Sequence, residues 1–258
     1  METPMLRDSR ALERLSVHAT DGDIGHVRDI YFDDERWVMR YLVVETGGWL
    51  IGRDVLISPI AITEVDWDAR RVHVNLTRQK VEDSPGIESH RPVSRQGEAA
   101  LFRHYGYPYY WSGPYAWGYA VLPVLAEQQS YDDPQRLEIR KEMEEASKGD
   151  QHLRSCNEVA GYKVAARDAK LGHVVDFLFD ESDWSIQYLI IDPHDFWPGK
   201  HVTVGTDHIQ QVFWDDKEVI TDLESRDIES GPIYDPEYPP PSRAAQSVLR
   251  QGNVSPPP

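Results

Sequence analysis

The residues best suited by type to do chemistry occur in pairs a constant 147 positions apart: His26 with His173, Asp29 with Asp176, and Asp33 with Asp180. A duplicated histidine suits metal ligation or proton transfer. Paired carboxylates suit acid–base work, and Cys156, the only cysteine, offers a thiol. Each reading lacks its complement. One histidine per copy makes no ligand set unless the copies face each other and Asp29 or Asp176 joins. The aspartates flank a strand and its hairpin turn, where Asp commonly caps backbone N–H groups. A reactive thiol needs electropositive neighbours, and Cys156 has only Arg154 close by in sequence. The chain also lacks a Gly-rich phosphate loop, a nucleophile elbow and an HExxH motif. The expectation is a non-enzymatic protein with no catalytic residue, no cofactor and no metal site.

A different chemistry, recognition, is offered by Tyr105 to Tyr119, where eight of fifteen residues are aromatic. Tyr and Trp combine large contact area with a polar handle and serve as rigid anchors. Tyr107, Tyr109, Tyr110, Trp111, Tyr115 and Trp117 are therefore the candidate partner-binding residues. The competing reading is that this segment folds back over a barrel surface and buries its own rings, since large exposed aromatic patches are uncommon on monomers.

The elements that would position these groups are read from the repeat. Residues 19–85 align with 166–232 without a gap, with 21 identities in 67 pairs, and self-similarity at a fixed shift marks a duplicated fold. In the first copy β-rich runs cover His26–Phe32, Trp37–Glu45, Val55–Ile57, Ile60–Val65 and Val72–Leu76. In the last of these Val72, Val74 and Leu76 alternate with His73 and Asn75, as a half-buried strand requires. The second copy repeats the layout over Val174–Phe179, Trp184–Ile191, Val202–Val204, Ile209–Trp214 and Glu218–Leu223. Duplicated glycines such as Gly25 and Gly172 are expected at turns, where positive φ is tolerated.

Between the copies Ser94 is expected to cap a short helix through His104, with Leu101, Phe102 and Tyr105 on one face. Asp133-Pro134 opens a second, charged helix to about Ala146. The fold class is all-β: two tandem small antiparallel barrels joined by an aromatic-rich, partly helical connector. The domains divide as 1–90 (first barrel with its lead-in), 91–152 (connector), 153–236 (second barrel) and 237–258, a Pro-rich tail expected to be disordered.

The net charge of −17 argues against nucleic acid, whose proteins draw affinity from Lys and Arg at phosphates. It disfavours an anionic membrane surface for the same reason. No apolar run approaches the roughly 20 residues needed to span a bilayer, and the charged N-terminus lacks a signal-peptide core. The expected compartment is the cytoplasm.

Both copies resemble the PRC-barrel domain, named for the cytoplasmic part of the H subunit of the purple-bacterial photosynthetic reaction centre and found, more distantly, in the ribosome maturation factor RimM. The resemblance rests on Ile24-Gly25-His26-Val27-x-Asp29, Phe32-Asp33-Asp34, Trp37, Tyr41-Leu42 and Val55-Leu56-Ile57-Ser58-Pro59. In the second copy it rests on Leu171-Gly172-His173-Val174-x-Asp176, Phe179-Asp180, Trp184 and Tyr188-Leu189. It covers roughly 6–87 and 153–234 and implies a barrel of about six strands in each copy. Gly205-Thr206-Asp207 replaces Ser58-Pro59-Ile60, so the loops there are expected to differ. The functional expectation is a protein-interaction or scaffold module whose protein partner is unspecified. The alternative is a peripheral component of photosynthetic or respiratory electron transport. The doubling further suggests pseudo-two-fold packing of the two barrels or a homodimer.

Overall fold

The computed structural model describes residues 6–48, 50, 53–85, 95–124, 152–193 and 200–243. In chain order the first half contains β1 (Leu6–Asp8), α1 (Ser9–Leu12), β2 (Ser16–Ala19), β3 (Gly22–Asp33), β4 (Val38–Thr46) and β5 (Asp54–Ile57). It continues with β6 (Ile62–Asp66), β7 (Arg71–Val74), α2 (Arg78–Glu82) and α3 (Arg95–Tyr105). The second half contains β8 (Leu153–Ser155), α4 (Cys156–Val159), β9 (Lys163–Ala165), β10 (Lys170–Asp180) and β11 (Ile186–Asp192). It closes with β12 (Val202–Gly205), β13 (Ile209–Phe213), β14 (Glu218–Thr221) and α5 (Ser225–Glu229).

The chain forms two compact units, Leu12–Ser155 and a second made of Met1–Ala11 with Cys156–Pro258. The first unit's sheet runs β5-β4-β3-β2-β7-β6, and the second's runs β12-β11-β10-β9-β14-β13. The two orders are the same once the repeat is allowed for. Neighbours are antiparallel, as expected, with one parallel pair added in each unit, β2 with β7 and β9 with β14. Inward-facing Val17, Ile24, Val27, Val44, Val55 and Val72 are fully buried in the first sheet, and burying each such side chain is worth roughly 1.5–3 kcal/mol.

The division differs from the sequence boundaries in its first strands. β1 pairs with β10, Leu6 opposite Asp180, and so belongs to the second unit although it precedes the first repeat. β8 pairs with β3, Leu153 opposite Asp33, and completes the first unit. Each is tied down by side chains at corresponding places. Arg154 lies 2.8 Å from Asp34 and Arg7 lies 3.6 Å from Glu181. Ser155 Oγ donates to Asp29 at 2.6 Å, and Ser9 Oγ donates to Asp176. Burial pushes the Asp34 carboxyl up, against the pull of Arg154 and His152.

β3 and β10 are long, and each bends at two register shifts, the first between Val27 and Asp29 and between Val174 and Asp176. Such bulges let a strand curve around a barrel. The duplicated aspartate follows each bulge and accepts the next backbone amide: Ile30 N–H donates to Asp29 and Phe177 N–H to Asp176, both at 2.7 Å. Gly25 and Gly172 lie within these strands and not in turns, which corrects the expected position, although Gly172 does take the left-handed φ, 56°, that the sequence expectation attached to such glycines. A Cβ on Gly25 would sit 2.0 Å from the carbonyl oxygen of Glu45, and on Gly172 1.8 Å from that of Asp192. The glycine is required by the close approach of the adjoining strand.

Ser58-Pro59 does stop β5, as a 3-10 turn over Pro59–Ala61 with the Ile60 amide donating to Ser58 Oγ. The second copy keeps a 3-10 turn there, Thr206–His208, despite its different residues. The expected helix between the copies is α3, with Leu101 and Phe102 buried. The charged helix expected from Asp133 lies outside the described residues. Of the tail, Ser242 is fully buried and Arg243 N–H donates to Gln187 Oε1 at 2.7 Å, so packing against the second barrel extends past the expected boundary at 236.

Candidate functional site

In the first barrel the hairpin between β3 and β4 is built by the duplicated Asp–Trp pair. Asp33 Oδ1 accepts the amides of Glu35 and Arg36 at 3.1 and 3.0 Å. Trp37 takes a left-handed φ of 54°, its N–H donating to the Asp33 carbonyl at 2.7 Å. Its ring stacks on Phe32 with centroids 5.5 Å apart, which offsets the strain of positive φ in a bulky residue. The second barrel repeats each part: Trp184 has φ 63°, donates to the Asp180 carbonyl and stacks on Phe179.

What the second copy does not repeat is the pair of arginines on this hairpin. Arg36 Nη1 donates to the carbonyls of Tyr110 and Tyr115, both at 2.9 Å, and its Nη2 to that of Gly113 at 3.3 Å. Arg40 is fully buried, donates from Nη2 to Asp33 Oδ2 at 2.9 Å and from Nη1 to the Ala116 carbonyl, and lies over the Tyr110 ring. Two barrel arginines thus gather four backbone carbonyls of the aromatic segment. A buried Glu98 on α3 secures the other side, accepting the hydroxyls of Tyr41 at 3.0 Å and Tyr110 at 2.6 Å. Burial, then the Glu98 charge, raises the Tyr41 hydroxyl well above its ordinary pKa.

The rings pack on Phe102, which contacts Tyr41, Tyr107, Tyr109, Tyr110 and Trp111 at centroid distances of 5.6 to 6.2 Å. Tyr105 stacks on Tyr107, and burial pushes its hydroxyl up to about 12. Of the six candidate residues, Tyr107, Tyr109, Tyr110 and Trp117 are buried and Trp111 is half-buried. Only Tyr115 is exposed, at 52 %. The segment therefore covers the barrel, and its buried rings are structural. Beyond it a tight ribbon, closed by Tyr115 N–H to Gly118 and Trp117 N–H to Ala120, turns Trp117 inward. Gly113 and Gly118 let the backbone cross itself, since a Cβ on Gly113 would lie 2.3 Å from Gly118. After this crossing Tyr119 (80 %), Val121, Leu122 and Val124 are exposed.

Val121, Leu122 and Val124, just past the aromatic stretch, and the role of the two arginines in holding it escaped the sequence reading. The arginines carried a signal, for Arg36 and Arg40 become Asp183 and Gln187 in the second copy while the flanking Trp is kept. His26 is exposed on β3 and His173 half-buried on β10, in different units. Cys156 is buried at the start of α4. Among the described residues no cluster of three or more His, Cys, Asp or Glu could hold a metal ion, and no helix is long and apolar enough to cross a membrane.

A small strand-built unit that spends its buried charges on holding its own connector defines a β-barrel module. Residues 8–81 match the family model of the PRC-barrel domain, so the first barrel is a PRC-barrel domain. No curated protein matches the chain.

Proposed function

We propose that the chain is a non-catalytic interaction module in which two barrels of one type, the second a divergent PRC-barrel, carry a fixed apolar ribbon for a protein partner. The observation that supports this is the contrast within one segment. Tyr107, Tyr109, Tyr110 and Trp117 are buried to mount it, while Tyr115, Tyr119, Val121, Leu122 and Val124 remain exposed in sequence continuity. Exposed apolar groups on a rigid base suit recognition, because little conformational entropy is lost on binding.

The test places a photo-crosslinking amino acid at Tyr119 in the source cells. The expected result is a crosslink to a defined protein that disappears with Leu122→Asp. Crosslinks that are absent, or unchanged by Leu122→Asp, would overturn the proposal. A partner found in the membrane fraction and belonging to an electron-transport complex would favour the peripheral role that the resemblance suggests.

A further inference from the structure

The hydroxyl of Tyr110 lies 2.6 Å from Glu98 Oε1, and both side chains are buried. It is the closer of the two phenols on that oxygen, Tyr41 standing at 3.0 Å. The separation is within the reach of direct proton transfer from a phenol to a carboxylate. On the other side of Tyr110 the Arg40 guanidinium lies over the ring, 3.7 Å from its centroid. A fixed cation in a site of low dielectric opposes any positive charge on that ring. Tyr110 can therefore give up an electron only as its proton leaves, and Glu98 is placed to take the proton.

A path for the electron runs from the surface to this phenol. The Trp111 ring is half-buried and meets Tyr110 edge-on, with centroids 4.9 Å apart. It also stacks on Tyr109 at 4.6 Å, which holds the indole in place. Rings this close exchange electrons readily, because electron transfer slows steeply with distance and these rings are near contact.

We propose that Trp111, Tyr110 and Glu98 form a proton-coupled electron relay, which takes single oxidising equivalents from a diffusible radical oxidant and holds them as a buried tyrosyl radical. The Trp111 indole first gives one electron to the oxidant, which is reduced, and becomes a radical cation with its N–H intact. An electron then passes from Tyr110 to the indole. The phenol O–H bond breaks as it does so, and the proton moves to Glu98 Oε1. Trp111 is restored, and a neutral tyrosyl radical faces a carboxylic acid. A small one-electron reductant of the ascorbate class reverses the second step, the proton returning from Glu98 to the phenol oxygen. The relay is stoichiometric and does not depend on the partner proposed for the ribbon.

The test uses the full-length chain carrying 3,5-difluorotyrosine at position 110. Azide radicals from pulse radiolysis supply the one-electron oxidant, and electron paramagnetic resonance of the rapidly frozen sample locates the radical. A tyrosyl signal split by fluorine is expected, since only position 110 carries that label. Its yield should fall at least about ten-fold in Glu98→Gln, where the amide keeps an acceptor oxygen but binds a proton far more weakly. A purely structural Glu98 would leave the yield unchanged. Trp111→Phe should lower it to a similar extent. Tyrosyl radicals without fluorine splitting, or a split signal that survives either substitution at full yield, would overturn the proposal.

Discussion

The guanidinium carbon of Arg40 lies 3.7 Å from the centroid of the Tyr110 ring, with the Trp117 ring 5.0 Å away on the same group. The ion pair to Asp33 is desolvated, with side-chain exposures of 0 % and 3 %. Removing one member of a buried pair leaves the other as an uncompensated charge, at a cost of roughly 3–5 kcal/mol. Arg40→Ala should therefore lower the unfolding free energy of the first barrel, read from denaturant titration, by an amount of that order. An effect under about 1 kcal/mol, the size of a surface pair, would contradict the burial argument.

Glu98 is the second fastening of the aromatic segment. Glu98→Ala strands two tyrosine hydroxyls, each worth about 1–3 kcal/mol when buried without a partner. Acrylamide quenching of tryptophan fluorescence should rise as Trp111 and Trp117 become accessible. Glu98→Gln keeps an acceptor oxygen in place and is expected to leave quenching near that of the unmutated chain.

Gly25→Ala and Gly172→Ala each drive a methyl group into a backbone carbonyl of the neighbouring strand. Backbone on both sides leaves no flexible side chain to give way, so the loss should reach about 3 kcal/mol or more. Thermal denaturation of the two variants measures it. Gly47→Ala, where a Cβ meets nothing within 4 Å, serves as the control.

Asp176 has its pKa raised from 3.8 to about 6, first by burial, against the lowering effect of the bonds from Ser9 and the Phe177 amide. The folded chain thus holds a proton there that the unfolded chain has released. Stability should fall as pH rises from about 4 to 6, by on the order of 3 kcal/mol. Asp176→Asn retains an acceptor for Ser9 and abolishes the titration. It is expected to be more stable than the unmutated chain near neutral pH, with that part of the pH slope gone. An unchanged slope would place the titrating group elsewhere.

The barrel strands were legible because burial on a curved sheet imposes local patterns. Val72 and Val74 are buried and alternate with less buried Arg71, His73 and Asn75, and the Asp–Trp hairpins recur with their stacked Phe. The origin of each barrel's exchanged strand was not legible. Leu6-Arg7 and Leu153-Arg154 carry the same pattern, so sequence alone does not say which β-edge either will meet. The role of Gly25 was likewise hidden, since a close backbone approach depends on a strand twenty residues away. The aromatic segment was legible as a feature of interest. Its direction was not, because inward Trp117 and outward Tyr119 differ by the path of the ribbon and not by residue type.

The pairing of β1 with β10 also sets an order on synthesis. Leu178 lies 170 positions beyond its partner Asp8, so the first strand emerges long before its edge exists. The first barrel, for its part, cannot cover the outer edge of β3 until Ser155 has been made. An uncovered strand edge is where nascent chains pair wrongly. The vulnerable interval in this protein's life is thus the translation of its connector, when one barrel is nearly complete and still open on one side.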